Sequence, residues 1–462
     1  MTDRPALPVG FRVALDPGVR RIDGGRVLVG GAPLRLLRVT SAGAGLLDRL
    51  ASGAPVPSGS GGARLVRRLL DTGMAHPRLD HVDPPFGAGD VAAVIPIRGR
   101  TDQLAPTLAA LGPVGEVVVV DDGSPAPVAV PDGVRVLRHE RSRGPGPARE
   151  VGWRATDLPV VAFVDAEVVP AAGWLPALLA HLADPAVGAV APRTVASGGP
   201  GRLAAYDADR SPLDLGPAEA TVRPGSPVPY VPTTALVVRR EAMAAVGGFD
   251  PDLRFGEDVD LVWRLVAAGW TVRYAPEVTV THPVRPDGRG WVRQRFAYGS
   301  SAGPLAVRHG AAVVPLRLSG WSGAAWALAA VGHPGLGALV AAGSTAALAR
   351  KLGGLDDPAG EALRLAGRGH LLAGRAIAQA VRRAWLPAAV AAAVASRRLR
   401  PAVATAVLGP AVVDLVRRGP VPAALHLADD AAYCAGVWAG SWRARTGRAL
   451  LPASAGPVDP PT

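Results

Sequence analysis

Short apolar runs alternating with helix-patterned segments constrain this chain more than any other feature. The runs 91–95, 117–120, 134–137 and 160–164 are mostly valine-rich, and all but the third, which holds Arg135, are continuously apolar, as strands buried on both faces should be. After the first run, Asp102 stands where a helix cap is expected, and Leu104, Leu108 and Leu111 share one helical face. This rhythm predicts an α/β fold with a mostly parallel, Rossmann-like sheet and helices on both sides. Ligands of such sheets bind just past the carboxyl ends of the strands, so chemistry should be sought on that rim.

Acidic clusters stand where that rule places them. Asp121-Asp122-Gly123-Ser124 follows the second run directly. Taken alone, Asp-Gly-Ser is ordinary turn chemistry. At a strand end, however, a carboxylate can accept the N–H of a nucleobase or a ribose hydroxyl, and Asp122 is the better candidate for the base. Asp165-Ala166-Glu167 follows the fourth run. Acids at i and i+2 leave a strand on one side, and hard cations such as Mg²⁺ or Mn²⁺ are held by one or two carboxylates together with substrate phosphates. A cation there would offset charge developing on a diphosphate leaving group. The plainer reading, a cap for the helix beginning near Trp174, is weakened by the eight residues between Asp165 and Gly173.

A third cluster, Glu257-Asp258-Val259-Asp260, opens a helix whose buried side carries Leu261, Leu265 and Val266 and which ends at Gly269. Acids at a helix start favour the dipole, but three in four residues exceed what capping needs. Asp258 is the candidate general base for an acceptor hydroxyl, with Glu257 directed toward the acceptor or the neighbouring backbone.

Taken in order, Ile95-Pro96, Asp121-Asp122-Gly123-Ser124, the segment 144–149, Asp165-Ala166-Glu167 and Glu257-Asp258 resemble the family 2 glycosyltransferases with a GT-A fold. The resemblance spans residues 91–300. It implies that Pro96, Arg98, Asp121 and Asp122 contact the nucleotide, with Arg149 also on the nucleotide-sugar side. It implies that Asp165 and Glu167 take the place of the metal-binding DxD pair, and Asp258 that of the ED base. By the same resemblance His282 would serve the metal or the phosphates, and Arg295, beside Arg293 and Gln294, the diphosphate or the acceptor. A lone histidine is more often simply hydrogen-bonded. Two departures stand out: Ala148-Arg149-Glu150 replaces Ala-Arg-Asn, and Glu167 replaces the second Asp. The chain contains no asparagine at all, and its only lysine is Lys351, so a motif calling for Asn cannot be met here. The processive-synthase pattern Gln-x-x-Arg-Trp is also absent, because Gln294 precedes Arg295-Phe296.

The organisation around this block predicts three regions: 1–86, 87–302 and 303–462. The first reads as short strands, a Thr40-capped helix and a second helix, a small winged-helix-like module that resembles the PqqD-type peptide-recognition modules. The last is a hydrophobic helical region. Its charge-free stretch 318–349 has the length of a bilayer span, although Gly332-His333-Pro334 should break it. Later apolar runs lie between arginines such as Arg382, Arg397 and Arg417, which fits an anionic membrane surface. All three regions together resemble the mycofactocin-system glycosyltransferases. That resemblance implies transfer of glucose units from UDP-glucose, with inversion, onto a peptide-derived redox cofactor precursor.

The net charge is +12, but the arginines are scattered, with no basic helix or aromatic-interleaved patch, which excludes a nucleic-acid partner. One cysteine, Cys434, and an opening segment without an apolar core predict a reducing cytoplasm, at the inner membrane face or in solution. Two other readings remain at this point: a peptide-binding carrier on a degenerate transferase scaffold, and a nucleotidyltransferase on the same kind of sheet. The latter normally carries a lysine after its first strand, and none stands there.

Overall fold

The structure is a computed structural model that describes residues 4–99, 101–284 and 287–454. Its contacts divide the chain into two compact units, Met1–Gly199 with Asp207–Val284, and Pro200–Tyr206 with Arg285–Pro461.

The first unit begins with strands β1 (Arg12–Leu15), β2 (Arg20–Ile22), β3 (Val27–Gly30) and β4 (Arg35–Arg38), helices α1 (Ser41–Ala51) and α2 (Ser60–Asp71), and strand β5 (Ala75–Arg78). Strands β2, β3 and β4 form an antiparallel sheet, and β1 pairs with β5. Thr40 caps α1 as expected, its hydroxyl accepting the Gly43 N–H at 3.2 Å. Phe11, Leu28, Leu47, Leu69 and Met74 close a small core of their own.

The chain continues through β6 (Val91–Ile97), α3 (Thr101–Ala110), β7 (Glu116–Asp121), β8 (Arg135–Arg138), α4 (Pro145–Arg154), β9 (Val160–Val164), β10 (Val169–Pro170), α5 (Trp174–His181) and β11 (Val187–Ser197). Then come α6 (Arg202–Asp209), β12 (Ala220–Thr221), β13 (Ala235–Arg239), α7 (Arg240–Ala245), α8 (Glu257–Ala267) and β14 (Thr271–Pro283). Nine strands form one sheet in the order β10-β14-β11-β13-β9-β6-β7-β8, with β12 beside β14. The half containing β9, β6, β7 and β8 is parallel, as the apolar runs predict. Strand β13 runs antiparallel between β9 and β11.

The expected boundary at residue 86 is not a break in packing. Arg67 of α2 donates two bonds to Asp184, at 2.7 and 2.9 Å, with both side chains largely buried. Buried His76 on β5 meets Asp16 at 2.9 Å and Arg273 of β14 at 3.1 Å, and the Thr221 hydroxyl donates to the Leu70 carbonyl. Charged side chains this well buried persist only when each finds a partner, so the small module and the sheet fold as one unit.

In the second unit, α9 (Gly288–Ser300) is followed by α10 (Ala302–His309), β15 (Arg317–Leu318), α11 (Gly320–Ala330), α12 (Pro334–Lys351) and α13 (Pro358–Ala362). Helices α14 (Arg368–Arg383), α15 (Leu386–Ala395), α16 (Arg400–Arg418), α17 (Pro420–Arg443) and strand β16 (Ala453–Ser454) complete it. The division falls after Val284, and not at 302, because α9 and α10 press against α17 through glycines. A Cβ on Gly299 would lie 2.1 Å from the Tyr433 carbonyl oxygen, one on Gly436 2.1 Å from that of Phe296, and one on Gly440 2.1 Å from that of Ser300. Only glycine permits backbones to approach so closely. The apolar stretch 318–349 is interrupted after Ala330, and among the described residues no helix is long and apolar enough to cross a membrane.

Replacing Arg67 with Ala would leave the largely buried Asp184 without its cation, which costs roughly 3–5 kcal/mol in such pairs. Equilibrium urea unfolding should detect this, and a change below about 1 kcal/mol would show that the tie is dispensable.

Candidate active site

The rim of the parallel strands is built first by two neighbouring carboxylates. Asp121 ends β7 with its side chain wholly buried: Oδ1 accepts the Ser124 N–H at 2.8 Å and Oδ2 pairs with the Arg138 guanidinium. Burial alone would raise its pKa, but the Ser124 hydrogen bonds and the arginine more than reverse this and hold it low. The turn that follows requires glycine: Gly123 has φ 69°, and a Cβ there would lie 2.6 Å from the Ser142 nitrogen.

Asp122 is engaged differently from the sequence expectation. Its carboxylate meets His139 Nδ1 at 2.8 Å and accepts the Ser142 hydroxyl at 2.7 Å, the Arg143 N–H at 2.8 Å and the Gly144 N–H at 2.9 Å. A carboxylate offers about four lone-pair sites. All four are taken by the segment 139–144, so Asp122 shapes the loop leading into α4 and has no site left for a nucleobase. Burial opposes its ionisation, and the Arg143, His139 and Ser142 bonds outweigh burial, so its pKa too is lowered. His139 and Ser142 were not singled out from the sequence, because neither carries a pattern until the loop brings it to Asp122.

Arg149 of α4 is buried and forks between two elements: Nη2 donates to Asp165 at 2.6 Å, just past β9, and Nη1 donates to Glu257 at 3.0 Å, at the start of α8. Its guanidinium also lies 6.0 Å from the Phe249 ring centroid. The bland and functional readings of the third acidic cluster now separate by residue. Glu257 is committed to Arg149. Asp260 is committed to Arg264 at 2.7 Å, which in turn donates to the Val246 and Gly248 carbonyls. Asp258 accepts the Val259 N–H at 2.8 Å, remains partly exposed, and among the described residues pairs with no cation. Burial and then the adjacent Glu257 charge push its pKa up to about 7. Burial likewise raises that of Glu257, with Arg149 only partly offsetting it.

On the other flank of the turn after β9, Glu167 lies 3.1 Å from His282 Nε2, near the end of β14. The His282 Nδ1 is 2.8 Å from the Pro283 carbonyl, which can only accept, so Nδ1 carries the hydrogen. Nε2 and the Glu167 carboxylate thus face each other at hydrogen-bond distance, an imidazole nitrogen beside a carboxylate. The donor set therefore fits a divalent ion. Asp165, expected to be its partner, is instead directed to Arg149, and among the described residues no group of three such ligands converges. Pro96 sits partly buried on β6 opposite Val120, and Arg98 is exposed just beyond the strand.

Arg295 is engaged within its own helical unit. It is 1 % exposed inside the helical unit, 3.3 Å from Asp429 and over the Trp291 ring, so it cannot meet a diphosphate as the sequence reading proposed. Glu150 had seemed a departure; it accepts the Phe249 N–H at 2.8 Å and the Trp153 indole at 2.6 Å. It is a brace between α4 and the 246–249 turn and no mark of a lost site.

The description "Glycosyl transferase family group 2" matches residues 160–350. A pre-mycofactocin glycosyltransferase of Mycobacterium tuberculosis is 41% identical over 471 residues, 96% of this chain and 98% of the relative. The chain belongs to the group 2 glycosyltransferase family. Another relative from that organism, an N-acetylglucosaminyl-diphospho-decaprenol L-rhamnosyltransferase, is 32% identical over 167 residues, 35% of this chain and 46% of its own length. A mannosyltransferase from Pyrobaculum calidifontis, solved with GDP-Man and Mn²⁺, aligns over 78% of this chain and 89% of its own at 18% identity and a TM-score of 0.44. By that family membership the protein is an enzyme of glycosyl transfer, and the carrier and nucleotidyltransferase readings give way.

Replacing Arg149 with Ala should disorder the rim, lowering turnover by roughly 10²-fold, as small misplacements of reacting groups do. Lys should restore only part of it, because a single ammonium nitrogen does not reproduce the spacing of the two guanidinium nitrogens that meet the two acids. Full activity of the Ala variant in a donor-turnover assay would refute the organising role.

Proposed function

We propose that this glycosyltransferase moves glucose from UDP-glucose, with inversion, onto a peptide-derived redox cofactor precursor, and extends the product into a short oligosaccharide. The acceptor reading rests on likeness, over nearly the whole of both chains, to a protein whose name states that it glycosylates pre-mycofactocin. The carrying observation for the chemistry is Asp258. A partly exposed carboxylate at a helix start, with its pKa raised to about 7, has the properties of a general base.

In this reading the acceptor hydroxyl attacks the anomeric carbon as its proton passes to an Asp258 oxygen. The bond from that carbon to the diphosphate oxygen breaks, UDP departs, and configuration inverts. Glu257, tied to Arg149, sets the start of α8 and so the position of Asp258. Pro96, Arg98 and the Asp121 turn border the nucleotide, while Asp122 shapes the adjoining loop. Glu167 and His282 would hold Mg²⁺ or Mn²⁺, with Asp165 joining them only if it exchanged its Arg149 contact for the ion. Such an ion, when bound, offsets charge on the diphosphate. Nucleotide sugars and a single buried thiol, Cys434, suit a cytoplasmic site of action.

Incubation with UDP-glucose, GDP-mannose and candidate acceptors, read by mass, tests the donor and acceptor. Gain of hexose from UDP-glucose is expected, and gain only from GDP-mannose would overturn the donor. Asp258→Asn should lower turnover by roughly 10²–10⁴-fold while donor binding by calorimetry persists.

The sign of the pH dependence follows from the raised pKa. The base works ionised, so turnover should fall about tenfold per unit below pH about 7. Stability runs the other way: a carboxyl whose pKa rises on folding contributes fully below its ordinary 3.8, and the contribution is lost as pH climbs through about 7. At pH 8, Asp258→Asn should therefore melt at a higher temperature than the parent. A lower melting temperature there would contradict the burial argument.

A further inference from the structure

We propose that the helical unit docks in the plane of an anionic lipid bilayer without crossing it, with α15 as the inserted helix. Every side chain of α15 is apolar, from Leu386 to Ala395, and yet none of its residues is buried. Val390 and Val394, one turn apart, are 50% and 75% exposed. A helix in water normally hides its apolar stripe, so one that is apolar all round and uncovered needs a non-aqueous neighbour. Its 10 residues are far short of the roughly 20 needed to span hydrocarbon, which leaves a position along the surface.

The following helix carries an exposed apolar stripe of its own. Leu408, Val412, Leu415 and Val416 of α16 are spaced i, i+4, i+7 and i+8, and all are exposed. Charge then selects the occupant. Residues 358–428 contain ten arginines and two acids, Glu361 and Asp414. Both acids are buried and paired, with Arg364 at 2.6 Å and His426 at 2.7 Å. Arg397, Arg398 and Arg400, directly after α15, are exposed, as are Arg417 and Arg418 at the end of α16. An uncovered apolar face edged by cations and lacking exposed acids complements lipid headgroups that carry phosphate in excess of amine. A second copy of the same face would set those arginines against one another, which disfavours self-association as the cover.

Flotation of the full chain with vesicles tests this. With phosphatidylcholine–phosphatidylglycerol vesicles at low salt the protein should float, and with phosphatidylcholine alone it should float several-fold less. Val390→Glu with Val394→Glu should abolish flotation, and Arg397→Glu, Arg398→Glu and Arg400→Glu together should weaken it roughly tenfold or more. Circular dichroism and donor turnover should stay at parental levels in both variants, because none of these residues belongs to the active site described above. The proposal fails if the parent stays unfloated with anionic vesicles, whether monomeric or dimeric by light scattering. It also fails if a folded Val390/Val394 variant floats as well as the parent.

Discussion

One buried guanidinium holds the reactive rim together. Arg149 leaves water at a cost that only close, opposite charge offsets, and it finds that charge on two elements far apart in the chain: Asp165 at one strand end and Glu257 at one helix start. A planar fork meets each acid through a separate nitrogen, a spacing that a single ammonium nitrogen does not offer. The backbone carrying Asp258 is fixed as a consequence, and so is its electrostatics. Arg149 spends its charge on the two acids that flank the site, which leaves Asp258 beside a negative neighbour and half out of water. Its elevated pKa is a by-product of how its neighbours are held.

The other acids of the rim divide in the same manner between building and chemistry. Asp121 ties down its own turn and Arg138; Asp122 organises the loop into α4; Asp260 and Glu150 brace the turn before α8. Each of these is surrounded by donors. Glu167 instead lies 3.1 Å from His282, and Asp258 is partly exposed at the start of α8.

In the helical unit several polar groups lie inside, while much apolar surface lies outside. Glycines let α9 and α10 touch α17, His370 lies between the Ser322 and Ser344 hydroxyls at 2.9 and 2.8 Å, and Arg382 is held by Asp430 at 2.7 Å. Close backbone packing and buried polar pins stabilise helices without needing water-driven burial of their outer faces. Leucines and valines along α15 and α16 are thereby left uncovered.

Much of the core was legible from residues adjacent in sequence. The apolar runs at 91–95, 117–120 and 160–164 became strands, Thr40 capped its helix, and the acidic clusters fell at strand and helix ends, because backbone periodicity and strand-end placement are local properties of the chain. The partners of those acids were not legible. Nothing near Asp122 in sequence announces that the segment 139–144 will saturate it, nothing near Glu150 announces the Phe249 N–H, and Arg295 looked like a phosphate ligand until folding buried it against Asp429. The sequence by itself thus determined the sheet, its acidic rim and the family. Only the tertiary structure decided which carboxylates are neutralised and which stay reactive, since the charge state of a buried group depends on distances between residues as far apart as Arg149 and Glu257, and no local pattern carries those distances.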